Sequence, residues 1–96
     1  LPVAPARRVT GLVSALRDPS SRVRRRAARA LGDFGVYALP AIPALTTALR
    51  DPDPSVRRDA AGSLGRFGPS SASAVPALVP MLGDPETRTR VVVATT

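Results

Sequence analysis

Neither cysteine nor histidine occurs in the 96 residues. Their absence excludes disulfides, zinc sites of the Cys/His type, thiol nucleophiles and histidine-based acid–base chemistry. Lysine, asparagine, glutamine and tryptophan are missing too, and the aromatic residues are limited to Phe34, Tyr37 and Phe67. Alanine, leucine and valine must therefore fill the core, which favours helices that approach closely. No apolar run approaches the roughly 18 residues of a membrane span. The opening "LPVAPARR" has neither the charged start nor the long apolar stretch of a signal peptide. The sequence assigns no compartment, and the cytoplasm is the favoured expectation. Because the chain does not begin with methionine, we expect it to be a piece of a longer protein.

What is present in excess is arginine. All fourteen cations are arginines, giving a formal net charge of +7. In a chain rich in Ala, Arg, Gly, Pro and Val, arginine is the default cation of a GC-rich coding background. The excess alone therefore says less about anionic partners than it would elsewhere. Its distribution says more, because five arginines fall between Arg22 and Arg29: Arg22, Arg24, Arg25, Arg26 and Arg29.

That basic stretch is one copy of a repeat. "LRDPSSRVRRRAARALGDFG" from Leu16 aligns without gaps on "LRDPDPSVRRDAAGSLGRFG" from Leu49, and "LGDPETRTRVVVA" from Leu82 continues the series. Asp18-Pro19, Asp51-Pro52 and Asp84-Pro85 share a column, as do Arg24, Arg57 and Arg90. Apolar columns join Val9, Ile42 and Val75; Leu12, Leu45 and Leu78; and Leu16, Leu49 and Leu82. Each unit reads as two helices. The first stops at Asp-Pro, since the residue before a proline is pushed out of the α region. The second restarts at once, with Ser20 or Asp53 at the N-cap and Pro54 at the first helical position. Val23, Ala27, Leu31 and Phe34 form its apolar stripe in unit one, matched by Val56, Ala60, Leu64 and Phe67 in unit two. Gly35 and Gly68 suit a left-handed helix terminator. A helix pair with one apolar side buries it only by stacking on another pair, so the expected architecture is an all-α solenoid. Unit three departs from the pattern. Pro80 should kink its first helix, Glu86 is a poor cap, and "VVVATT" is β-branched where the other units are alanine-rich.

Pro43, Asp51 and Arg57, and again Pro76, Asp84 and Arg90, keep a spacing of eight and then six residues; unit one has Thr10, Asp18 and Arg24. With the "VRRRAARALGDFG" and "VRRDAAGSLGRFG" segments, this resembles the HEAT-repeat family, in particular its short bacterial HEAT-like, phycobilin-lyase-type members. The resemblance implies a right-handed α-solenoid of about three stacked antiparallel helix pairs with a 33-residue period. Its units would run roughly over 5–35, 38–68 and 72–96, the last incomplete, as in a fragment of a longer array. It further implies that Asp18, Arg24, Asp51, Arg57, Asp84 and Arg90 form a structural ladder between adjacent units.

With these structural residues set aside, the outer columns of the second helices remain: Arg22, Arg25, Arg26, Arg29, Arg58, Arg66 and Arg88. In arrays of this kind that side commonly lines the concave surface. Arg22, Arg25 and Arg26 also sit in the first turns of a helix, where the positive end of its dipole disfavours cations by about 0.3–1 kcal/mol each. A set that opposes its own helix is a candidate partner-binding site; the alternative, and the commoner case, is a solvated, arginine-biased helix face with neighbouring acids from the next unit. The leading expectation is a protein-interaction scaffold taking an acidic segment of a protein partner on this face. The second reading is contact with duplex phosphates, although stacking aromatics for single strands are lacking. A third is an enzyme-associated role like that of the phycobilin-lyase relatives. Self-association through an exposed array end is a further expectation. No catalytic residue, metal or cofactor is expected, because the acids are turn and cap residues and the hydroxyls have no base beside them.

Overall fold

The computed structural model describes residues 5–78. They form α1 (Pro5–Ala15), α2 (Ser21–Leu31), α3 (Ile42–Ala48), α4 (Pro54–Arg66) and a short α5 (Val75–Leu78). Two 3-10 stretches, Gly32–Ala41 and Gly68–Ala74, connect the pairs. No strand occurs among the described residues. The expectations for Pro80, Asp84, Glu86, Arg88, Arg90 and the β-branched tail lie outside the described residues.

Both units leave their first helix in the same way. At the end of α1, the Arg17 and Asp18 amides bond back to Ser14 and Ala15 at 3.0 and 3.1 Å; at the end of α3, Arg50 and Asp51 bond to Thr47 and Ala48 at 3.0 and 3.1 Å. These i→i−3 bonds tighten the last turn before proline forbids its continuation. Restarting differs between the copies. The Asp53 carboxylate accepts from the Ser55 amide at 2.7 Å, capping α4. Ser20 occupies the cap position of α2 with extended backbone angles, but its hydroxyl makes no capping bond. Instead its amide donates to Asp18 at 2.8 Å, so the turn is held and the helix end is left uncapped.

The second helix of unit one ends earlier than Gly35 suggests, while that of unit two ends just before Gly68. α2 stops at Leu31 and the chain continues as 3-10 turns. Gly35 and Gly68 have φ of 57° and 60°, a region costly for other residues; Gly35 turns the connector, whereas Gly68 directly follows the C-cap Phe67 and terminates α4 as expected.

The two second helices, α2 and α4, lie side by side; α3 packs on α4, and α1 packs on α2 and the Gly32–Ala41 connector. Their interface is built from small residues. Ala27, Ala28, Ala60, Ala61 and Leu64 are buried, and the buried Ser63 hydroxyl donates to the Ala28 carbonyl across the seam. A second buried hydroxyl, Ser71, is shared between the Leu64 and Gly68 carbonyls at 2.6 and 2.9 Å, satisfying acceptors at the end of α4. Val9, Leu16, Ile42, Leu45 and Leu49 complete the core from the first helices, with Leu12, Val13, Phe34 and Phe67 partly buried against it. One stripe residue departs from expectation. Val56 is fully buried, but Val23, in the same column, is 37% exposed. Unit one stacks in front of Val56, and no described helix pair stands in front of Val23.

Candidate functional site

The arginines of α2 separate into two kinds according to what they touch. Arg24 points between the units. Its Nε and Nη2 donate to the two carboxylate oxygens of Asp51 at 2.9 and 3.2 Å. Its Nη1 donates to the Asp18 and Pro19 carbonyls at 2.8 and 2.9 Å, closing the turn of its own unit. The side chains are largely hidden, 16% exposed for Arg24 and 7% for Asp51. The fork thus ties one unit's turn to the next unit's turn with geometry a point charge cannot match. The bond to Asp51 raises the Arg24 pKa, burial opposes it, and the charges of Asp51, Asp53 and Asp18 add to the rise. Arg57 repeats the intra-unit half, its Nη1 donating to the Asp51 and Pro52 carbonyls at 2.7 and 3.2 Å. Asp51 also holds the Asp53 amide at 2.9 Å, as Asp18 holds Ser20.

Asp53 joins the units at a second point. Its carboxyl is held below the usual carboxylate range, chiefly by the Ser55 amide; burial opposes this, and the Ser21 and Ser55 hydroxyls and the Arg24 charge assist. Because its folded-state pKa is depressed, Asp53 stabilises the fold above the ordinary carboxylate value of 3.8 and loses that contribution as pH falls through its lower folded value. Asp53→Asn should therefore lower the thermal midpoint at neutral pH. The gap to the parent protein should close below the carboxylate range in a pH series of thermal melts.

The remaining α2 arginines face away from the core. Arg22, Arg25, Arg26 and Arg29, with Ser21, form one wall of an open groove of about 550 Å³, and Asp53 and Ser55 at the start of α4 form the other. Arg25 reaches across α4 to Asp59, Nε to Oδ2 at 3.1 Å. That pair is open to solvent, with side chains 55% and 24% exposed. Arg22, Arg26 and Arg29 are exposed and have no ion pair among the described residues. Their i, i+4, i+7 spacing sets them in one row along α2.

The other expected binding residues lie elsewhere. Arg66 is paired with Asp33 at 2.6 Å near the ends of the second helices, away from the groove. Arg58 is exposed on α4 and is not part of the groove lining. Arg88 is outside the described residues.

Two features escaped the sequence reading. Arg25–Asp59 and Arg66–Asp33 join residues 34 and 33 positions apart. Opposite charges in the same or neighbouring repeat columns were their available signal. The buried Ser63 and Ser71 hydroxyls had none, because serine reads as a surface residue.

Chemically, the arrangement presents four guanidinium groups to one open groove. Among the described residues, no three acidic side chains gather to hold a metal, and each groove hydroxyl or carboxylate is engaged in capping or cross-unit bonding. No described helix is long and apolar enough to cross a membrane.

Matched helix pairs, stacked at a 33-residue period and pinned by an Arg–Asp fork, define a helical-repeat solenoid. The chain belongs to the HEAT-repeat family: the family model for HEAT repeats matches residues 9–95. No curated protein matches it. HEAT repeats generally serve as protein-interaction scaffolds and are typically non-catalytic.

Proposed function

We propose that this chain is a protein-interaction module that receives an acidic segment of a partner on the α2–α4 face. The observation that carries the reading is the row of Arg22, Arg26 and Arg29. These are three guanidinium groups along one groove wall, none neutralised within the described residues. Mutual repulsion works against the set, and the positive end of α2 works against Arg22 in its first turn. A partner bearing carboxylates relieves both, and arginine suits that task through its planar, bidentate donors.

Duplex nucleic acid is the competing anion. Asp53 on the groove wall and Asp59 beside it count against it, because a continuous phosphate backbone would meet both carboxylates. The test is fluorescence anisotropy with a glutamate-rich peptide and with a duplex DNA of similar net charge. The peptide should bind and weaken with added salt. Arg26→Glu combined with Arg29→Glu should reduce its affinity by about tenfold or more, with an unchanged circular dichroism spectrum. DNA binding that outlasts peptide binding as salt rises from about 50 to 200 mM would replace this reading with the phosphate one.

A further inference from the structure

One arginine of the groove already holds a carboxylate. Asp59, from α4, sits on Arg25 at 3.1 Å, in a pair exposed enough to open. Its column in unit one is occupied by Arg26, so an acid stands beside the groove where the preceding copy has a base. The rest of the basic row has a definite register. At 1.5 Å per residue, Arg22 and Arg26 are about 6 Å apart along the axis, Arg26 and Arg29 about 4.5 Å, and the row spans about 10.5 Å. Acids at positions j, j+3 and j+7 of an antiparallel helix repeat these intervals in reverse order. An extended segment presents same-face residues about 6.7 Å apart, so three of them span about 13 Å and overrun the row.

We infer that the groove recognises a helical acidic segment with carboxylates at j, j+3 and j+7, and that Asp59 competes with this segment for Arg25. The inference rests on the acidic-partner reading and adds two things to it: a spacing code, and a specificity residue that raises the charge a partner must bring. Asp59 acts as an internal stand-in for ligand. Weakly acidic segments fail to displace it, and segments with three or more aligned carboxylates bind the free arginines and then share Arg25.

This predicts a gain of binding on loss of a carboxylate. The experiment uses two alanine-rich peptides of identical composition. One has glutamates at j, j+3 and j+7, and the other has them distributed around the helix. Both are titrated against the whole chain and against Asp59→Asn, a near-isosteric change. The in-register peptide should bind about threefold or more tighter than its isomer. Asp59→Asn should tighten it a further two- to fivefold, the range expected for releasing one exposed ion pair. If both peptides bind equally, Asp59→Asn changes nothing and Arg26→Glu with Arg29→Glu still abolishes binding, the spacing code and competitor role are wrong while the acidic-partner reading stands. A register preference without any Asp59 effect overturns the competitor role alone. If neither peptide binds either protein, the acidic-partner reading fails along with the inference.

Discussion

Leu64→Ala should remove about 2–5 kcal/mol of unfolding free energy, a large share of the roughly 5–15 kcal/mol available to a chain of this size. Leu64 is fully buried in the last turns of α4, the helix that contacts α2, α3 and the Gly68–Ala74 connector. Truncating it loses apolar burial and leaves a cavity between elements that cannot close up independently. Its carbonyl also receives the Ser71 hydroxyl, so any drift of the α4 end disturbs a buried hydrogen bond as well. In a stacked array, each unit is stable partly through its neighbour, and damage at this interface spreads to both. Urea denaturation followed by far-ultraviolet circular dichroism should show a lower midpoint with an unchanged slope.

Gly32→Val should be nearly as damaging, for the opposite reason. Gly32 has ordinary right-handed helical angles of −63° and −20°, so glycine is not required there by the backbone. Space requires it. Even a single methyl group would lie 2.7 Å from the Ser63 hydroxyl oxygen and 3.1 Å from Cδ and Nη1 of Arg66. The Arg66 end can swing aside, but the Ser63 hydroxyl is buried and bonded to the Ala28 carbonyl. Displacing it pushes α4 from α2 and orphans a buried acceptor, together costing about 1–3 kcal/mol or more for valine. Gly32→Ala should be milder, because alanine recovers some helix propensity. In a Ser63→Ala background the oxygen that clashes is gone, so Gly32→Ala should lose much of its cost. Such non-additivity marks direct contact, and a double-mutant cycle of denaturation midpoints would measure it.

The architecture was legible because repetition makes a sequence its own comparison. Leu45 aligned with Leu12, and Asp51 with Asp18, identified helix, turn and core columns without outside information. Reading failed where identical columns meet different surroundings. Val23 and Val56 share a residue type and a column, yet one is covered by a neighbouring unit and the other is not. Sequence periodicity records what a position can pack against and is silent on what stands there. The cap of α2 failed similarly: Ser20 has the right chemistry and the right backbone angles, and its hydroxyl makes no bond. For the site, sequence brought Arg22, Arg25, Arg26 and Arg29 to one helix face, and they line one groove. It did not separate Arg66 from them, because the Asp33 that holds Arg66 lies in an adjacent unit. The same cross-unit geometry hid the pairing of Asp59 with Arg25. Pairings across a stack depend on tilt and rotation between units, which column alignment does not carry.

Of the five arginines between Arg22 and Arg29, Arg24 ties the units together, and Arg22, Arg26 and Arg29 line the groove proposed to receive a partner. The most direct test measures stability and acidic-peptide affinity side by side for Arg24→Ala and for the triple change of Arg22, Arg26 and Arg29 to alanine. Arg24→Ala should lower the thermal midpoint by breaking the fork to Asp51, while protein still folded at low temperature binds peptide as before. The triple variant should keep a midpoint close to that of the parent, since all three side chains are exposed and relieving Arg22 at the positive end of α2 offsets the loss of Arg29 from its last turn, and should lose peptide binding. Equal losses of stability from both variants, or peptide binding undiminished in the triple variant, would contradict the division.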